Sequence, residues 1–236
     1  MSNKGKLFLI PAPIAADTQD MVIPAQVRKD LPDIHHFLAE DIRTARRYLS
    51  ALKIYDRIDA LSFSVLDKDT KRGDLEEMFT PIREGHHLGV LSESGCPGVA
   101  DPGALAVEYA HDHGIAVIPL VGPSSIILAL MASGLNGQHF AFHGYLPVQT
   151  RDAAKAIREF ESESRTRNQT QIFIETPYRN NSLFASLSRN LAPATRLCLA
   201  VDVTGANEFI RTRSVEDWRR DPVSIAKYPA VFLFLA

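Results

Sequence analysis

Two short stretches of the chain place an acid and an arginine on either side of a turn. Glu40-Asp41-Ile-Arg43 and Glu175-Thr-Pro-Tyr-Arg179 each lie where an apolar run gives way to a helix-compatible segment. In one reading the acid meets the positive end of a helix and the arginine pairs with it across the first turn. In the other, a carboxylate and a guanidinium at a strand end face a substrate, and two such junctions point to that role more than one would. Two further stretches are rich in Gly, Pro and small hydroxyl residues. Leu91-Ser-Glu-Ser-Gly-Cys-Pro-Gly-Val-Ala-Asp-Pro-Gly103 follows an apolar run, and Pro119-Leu-Val-Gly-Pro-Ser-Ser125 follows a second one just downstream. Strand ends that empty into such loops before a helix build a crevice in α/β folds, with backbone N–H groups facing a nucleotide-like ligand.

The familiar strong signatures are missing. There is no G-x-G-x-x-G, no phosphate-loop G-x-x-x-x-G-K-S/T and no H-E-x-x-H. Ser124 and Ser125 lack the second glycine of a nucleophile elbow and read as helix-capping or ligand-contacting hydroxyls. Cys96 has no basic neighbour in sequence to activate it. The eight histidines include the pairs His35-His36 and His86-His87. Adjacent residues on a strand point to opposite faces, so such pairs are not expected to chelate one metal, and no metal site is expected.

These residues need a scaffold of alternating strands and helices. Strands are expected at Lys6–Ile10, Phe37–Glu40, Ile58–Leu66, His87–Leu91 and Ala116–Leu120, with helices over Asp41–Leu52 and Ala104–Asp112. Leu75, Met78, Phe79 and Ile82 recur at i, i+3, i+4, i+7 and mark one face of another helix. This rhythm predicts right-handed βαβ units and a mainly parallel sheet. After Gly122 the pattern changes. A helix over Pro123–Leu135, a strand over Phe140–Leu146 and a polar helix over Asp152–Ser164 precede strands at Gln171–Thr176, Leu197–Val203, Glu208–Val215 and Ala230–Leu235. The last strands follow one another without long helices between them, so a mixed sheet is expected. The fold class is α/β, with an N-terminal domain over 1–122 and a C-terminal domain over 123–236.

Composition sets outer bounds. At 236 residues the chain can bury a sizeable core, and no apolar run approaches the ~20 residues of a membrane span. The start lacks a signal-peptide pattern, and two cysteines give neither a disulfide framework nor a CxxC pair, so a reducing cytoplasm is the expected compartment. The net charge of −2 excludes a global basic field for nucleic acid. Local basic groups remain: Arg43, Arg46 and Arg47, and a second set at Arg211, Arg213, Arg219 and Arg220.

Taken in order, the blocks resemble the tetrapyrrole-methylase superfamily of S-adenosylmethionine-dependent methyltransferases. The blocks are Leu7-Phe-Leu-Ile-Pro-Ala-Pro-Ile14, Ala39-Glu-Asp-Ile-Arg43, Ser92-Glu-Ser-Gly-Cys-Pro97, Ala100-Asp-Pro-Gly103, Pro119–Ser125, Ala132-Ser-Gly-Leu135, Gly144-Tyr-Leu-Pro147 and Phe173-Ile-Glu-Thr-Pro-Tyr-Arg179. The most similar branch is the one that 2′-O-methylates a cytidine of small-subunit ribosomal RNA. The resemblance implies two α/β domains with S-adenosylmethionine in the cleft between them, usually in a homodimer, and no membrane partner. It assigns cofactor binding to Pro13, Ile14, Ser92, Glu93, Ser94, Gly95, Pro97, Asp101, Gly122, Pro123, Ser124, Ser125 and Phe173. It places Glu40, Asp41, Arg43, Glu175 and Arg179 on the acceptor side as catalytic candidates.

The sequence departs from the family pattern at several points. The first loop reads Pro13-Ile-Ala-Ala-Asp17 without the Gly-Asn of the ribosomal branch, Glu93 stands where the family has Asp, and Phe63–Asp69 lacks a His-rich strand end. Val201–Glu208 keeps an acid at Glu208 without the surrounding pattern. These changes fall on the acceptor side more than on the cofactor loops. Three functions follow: a methyltransferase of ribosomal RNA, a methyltransferase of a tetrapyrrole or other small molecule, and a non-catalytic S-adenosylmethionine binder that acts by interaction.

Overall fold

The computed structural model describes residues 5–225 and 227–236; the opening of the N-terminal stretch read for a leader, Met1–Lys4, lies outside them. The chain divides into two compact units, residues 1–124 and 125–236.

In the first unit, Leu7–Ile10 (β1), Ile34–Ala39 (β2), Ser62–Val65 (β3), His87–Leu91 (β4) and Val117–Pro119 (β5) form one sheet. Its order is β3-β2-β4-β1-β5, and every pairing is parallel. The helices are Gln19–Val22 (α1), Ala25–Asp30 (α2), Ile42–Ala51 (α3), Leu75–Met78 (α4), Thr80–Arg83 (α5) and Gly103–Asp112 (α6). Side-chain alternation along the strands separates two apolar layers. Ile10, Phe37, Ala39 and Leu91 pack against Val27 of α2 and Ala45, Tyr48 and Leu49 of α3. Leu7, Leu38, Leu88 and Val90 pack against Leu75, Phe79, Ile82, Ala106 and Tyr109 on the other face. The chain leaves β1 toward β2 on one side and leaves β4 toward β5 on the other, although β1 and β4 are neighbours. That is a topological switch point, where parallel α/β sheets open a ligand crevice at their carboxyl edge.

The second unit holds Phe140–Phe142 (β6), Thr170–Glu175 (β7), Arg196–Val201 (β8), Phe209–Ser214 (β9) and Ala230–Leu235 (β10), in the order β6-β7-β10-β8-β9. Only β6 and β7 run parallel; the other pairs are antiparallel, so the sheet is mixed. Its helices are Ser125–Ser133 (α7), Thr150–Arg167 (α8), Asn180–Asn190 (α9) and Val215–Arg220 (α10). One face buries Phe173, Phe232 and Phe234 under Ile157, Leu183, Leu187 and Trp218, and the other packs Ile172, Cys198 and Leu233 against Ile126, Ala129 and Leu130 of α7.

Several expected elements differ. Ile58–Ala60 is a turn of 3-10 helix, so the strand expected from Ile58 begins only at Ser62. The helical face through Leu75 and Ile82 is split in two, because Phe79 takes non-helical angles ahead of Pro81. The strand expected over Phe140–Leu146 is regular only as far as Phe142; His143 N–H and the Gly144 carbonyl still bond to β7 at 3.0 Å each, but Gly144 turns the chain at a φ of 65°. The largest difference is α9, eleven residues of helix between β7 and β8, where no long helix was expected between the strands.

Candidate functional site

In the first unit the loops after β1, β4 and β5 are tied to one another. Ala12 and Gly95 exchange backbone hydrogen bonds of 2.9 and 3.1 Å, extending the β1–β4 neighbourhood beyond the strands. Gly95 holds a φ of +75°, a conformation that favours glycine. The Ser92 hydroxyl donates to the Gly95 carbonyl at 3.1 Å, and the Cys96 thiol donates to the Pro123 carbonyl at 3.3 Å. Burial pushes that thiol up, which suits a structural donor better than a nucleophile. Gly122 lies directly against Pro11: a Cβ placed there would fall 2.0 Å from the Pro11 Cβ. Pro11 is held in turn, because the buried Tyr48 hydroxyl donates to its carbonyl at 2.8 Å.

The rest of the β4 loop is organised by Asp101. Its Oδ1 accepts from the backbone N–H of Gly98 at 2.8 Å and of Gly103 at 2.7 Å, closing the loop onto the start of α6. Glu93 and Ser94 remain exposed at the tip, whereas Pro97 is buried. A shallow surface depression runs between the ends of β2 and β4, lined by Ala39, Glu40, Asp41, Thr44, Ser92 and Glu93 among others. Partial burial, and then the carboxylates of Glu93, Asp101 and Asp67, push Glu40 above the ordinary carboxylate value against a smaller pull from Lys68. The carboxyl edge of this sheet is therefore acidic.

Asp41 has a different role. It is the N-cap of α3, its Oδ1 accepting from Thr44 N–H at 2.6 Å, and this bond holds its carboxyl below the ordinary value. Arg43 is exposed and forms no ion pair among the described residues, so the expected pairing across the first turn is not formed.

In the second unit Glu175 ends β7 with its side chain 2% exposed. Oε1 accepts from the N–H of Thr176 at 2.8 Å, and Oε2 lies 3.2 Å from Arg179 Nη2, whose side chain is 28% exposed. The second acid–arginine junction is thus a real ion pair. Oε2 makes no well-aligned hydrogen bond, which leaves one buried carboxylate oxygen with unused capacity.

The sequence has relatives. It is 28% identical over 211 residues to ribosomal RNA small subunit methyltransferase I of Escherichia coli O157:H7, a match covering 89% of the chain and 69% of that protein. The same-named protein of Streptococcus pyogenes serotype M6 is 35% identical over 177 residues, covering 75% of the chain and 58% of that protein. That of Halalkalibacterium halodurans is 31% identical over 177 residues, and the chain spans 57% of its length. The fold matches the methyltransferase CobJ with a TM-score of 0.65 at 18% identity, covering 98% of this chain and 94% of that one. A uroporphyrin-III-C-methyltransferase from Thermus thermophilus matches with a TM-score of 0.57, also at 18% identity, covering 98% and 92%. No family model matches the chain. The chain is thus similar in sequence to proteins named as small-subunit ribosomal RNA methyltransferases, and in fold to CobJ and a uroporphyrin-III-C-methyltransferase.

The first unit brings together Pro13, Ile14, Glu93, Ser94, Gly95, Gly122, Pro123 and Ser124 around the tied loops, while Ser92, Pro97 and Asp101 serve the loops from within. Ser125 opens α7 in the second unit. The side chain of Phe173 does not fit the cofactor-binding role that the resemblance gives it. Its side chain is 0% exposed, enclosed by Phe160, His143 and Phe234, and presents no surface to adenine. Tyr48 and Cys96 hold the loops, and sequence reasoning gave neither that role. Tyr48 could have been found from its place on the buried stripe with Ala45 and Leu49.

The two arginine sets also separate. Arg213 pairs with Asp221 at 2.9 Å and stacks 5.0 Å over Trp218, and Arg220 pairs with Glu216. Arg219 donates to the carbonyls of Ser188 and Leu191 at 2.7 and 2.8 Å. Those three are spent on the fold, and the Arg211 side chain, 5.2 Å over the Phe209 ring, forms neither an ion pair nor a hydrogen bond among the described residues. The histidine pairs meet across strands: the rings of His36 and His86 lie 5.5 Å apart, beside a cavity of about 590 Å³ at the amino edge of the sheet. Among the described residues no group of three or more His, Cys, Asp or Glu side chains is placed to hold a metal ion, and no helix is long and apolar enough to cross a membrane.

Proposed function

We propose that the chain is an S-adenosylmethionine-dependent methyltransferase that 2′-O-methylates a cytidine of small-subunit ribosomal RNA. The two units serve as its two domains. The observation that supports this reading most is the tied, acidic carboxyl edge of the parallel sheet, found in a chain whose sequence relatives are named as ribosomal RNA methyltransferases. The donor set fits the cofactor. S-adenosylmethionine carries positive charge on its sulfur and its amino group, and carboxylates with exposed loop backbone suit such a cation. When bound, it supplies an electrophilic methyl group.

The protein's own part is positioning and proton handling. The loops of Pro13–Ile14, Glu93–Gly95 and Gly122–Ser124 hold the cofactor, and Asp101 fixes the middle loop in shape. Glu40 is the group on this edge best suited to accept the 2′-hydroxyl proton, since its raised pKa brings its basicity nearer neutrality. Arg43, which forms no ion pair among the described residues, is available to a phosphate of the acceptor strand. Glu175 and Arg179 form a preset ion pair that faces the acceptor on the second unit. The protein works as a homodimer, a state favoured by the apolar surface of α7, where Met131 is 74% and Ile127 45% exposed.

The test is methyl transfer from labelled S-adenosylmethionine to small subunits isolated without the modification, followed by mapping of the labelled nucleotide. A single 2′-O-methylcytidine is expected. Cofactor binding without transfer to subunits, or transfer only to a tetrapyrrole, would overturn the acceptor assignment.

A further inference from the structure

We propose that the outward face of α3 is the surface on which the RNA sugar-phosphate backbone docks, an inference that rests on the ribosomal RNA reading above. The helix turns Ala45, Tyr48 and Leu49 into the core. Its opposite face carries Arg43, Arg46, Arg47 and Ser50, at the i, i+3, i+4, i+7 spacing of a single stripe. No acidic residue occurs between Ile42 and Ala51. Among the described residues none of the three arginines has a carboxylate within ion-pair distance or donates a hydrogen bond to the protein, whereas Arg213, Arg219 and Arg220 are all engaged. The guanidinium carbon of Arg46 lies over Phe63 of the edge strand β3, 5.2 Å from the ring centroid, a contact that holds the charge near the ring and uses none of its N–H groups.

Three like charges on one helical stripe repel one another in the free protein. A polyanion relieves that repulsion, and the planar guanidinium fork matches a phosphate bidentately. The overall charge of −2 makes the stripe stand out, because long-range attraction of RNA cannot come from the chain as a whole. Placement adds a second argument. The helix starts directly after Glu40 and Asp41, so a strand held along α3 enters the acidic edge beside Glu40 from the helix N-terminus. The phosphate contacts would set register and leave sequence choice to other groups.

The test uses the double variant Arg46→Gln/Arg47→Gln, with Arg43 left in place because it belongs to the acceptor side. Both glutamines are good helix formers, and a melting curve checks that the fold is kept. Binding to unmodified small subunits is measured by filter retention across a salt series, with Arg220→Gln as the control. Loss of two phosphate contacts should weaken binding about tenfold or more at 0.1 M salt and reduce the slope of log K against log salt by about 1.4–1.8. Arg46→Lys/Arg47→Lys should recover most of the slope. Cofactor affinity and kcat at saturating subunits should stay unchanged while KM for subunits rises. An unchanged slope, or an equal loss in the control, overturns the docking surface. The two readings fail separately: α3-dependent binding without methyl transfer would sink the function and keep the surface, and α3-independent methyl transfer would do the reverse. Absence of any binding by the unsubstituted protein overturns both.

Discussion

Gly122→Ala tests whether the loops at the carboxyl edge act as one body. The added methyl carbon would lie 2.0 Å from Pro11 Cβ and 2.4 Å from its Cγ. Carbon atoms in ordinary contact sit about 3.5–4.0 Å apart, so one loop must move by well over an ångström. Neither loop is free to do so. Pro11 is a rigid ring with its carbonyl held by Tyr48 and the next residue bridged to Gly95, while Pro123 accepts the Cys96 thiol. Overpacking of this kind costs about 1–3 kcal/mol. For a unit of this size each kcal/mol lowers the melting temperature by roughly 3–5 °C. Gly137→Ala is the matched control, because a Cβ there meets nothing within 4 Å. Melting curves and calorimetric titration with S-adenosylmethionine are run on both. Gly122→Ala should lose stability and lose cofactor affinity about tenfold or more, since the same shift opens the loops that would hold the cofactor. The control should keep both. Adding Pro11→Gly to Gly122→Ala removes the opposing methylene groups and should return part of the loss. If Gly122→Ala melts within a degree of the unsubstituted protein and binds equally well, the loops are independent and the argument from close approach is wrong.

Two further outcomes follow from the same edge. Asp101→Asn exchanges a carboxylate that receives two backbone N–H bonds for a neutral amide; it should cost on the order of 1–3 kcal/mol in the first unit and weaken cofactor binding without changing the acceptor spectrum, as read by denaturant melts and titration. Glu40→Gln should abolish most methyl transfer yet raise the melting temperature near pH 8, with the gain fading as pH falls through the raised folded-state value of the Glu40 carboxyl toward its unfolded one. The sign follows from a folded-state pKa above the unfolded one: the carboxyl contributes stability while protonated and loses it as pH rises through the folded value. A Glu40→Gln variant that melts lower at pH 8 than the unsubstituted protein would contradict an electrostatically strained edge.

The parallel sheet was legible because its strands are short apolar runs ended by Gly and Pro, and each run recurs at βαβ spacing. The missed helix α9 shows where that reading stops. Its apolar residues Leu183, Phe184, Leu187 and Leu191 carry the helical period, but three serines and three asparagines dilute the signal, and their propensity is weak. Burial against Trp218 and Phe232 supplies what local preference does not. Phe173 failed for a different reason. On a strand buried on both faces, alternation does not separate ligand-facing from core-facing residues, so its position beside the Glu175 motif said nothing about exposure.

Charge was the least legible property of the site. In sequence, Arg46-Arg47 and Arg219-Arg220 are equivalent basic pairs on helices, and each has acids within a few residues. What separates them is which acids share their face. In α10, Glu216 stands four residues before Arg220 on the same side of the helix and takes up its charge. In α3, the nearest acid, Asp41, turns its carboxylate onto the helix N-terminus and is spent on Thr44, while Glu40 faces the carboxylates of the sheet edge. The capping bond that makes Asp41 ordinary as a catalyst is therefore what leaves the arginine stripe without a counter-charge. Freeing that carboxylate by Thr44→Pro would break the helix start and prove nothing. Moving the acid instead, with Ser50→Glu, places a partner within reach of Arg46 and Arg47 and should mimic their loss in the salt dependence of subunit binding, while leaving every cofactor-loop contact in place.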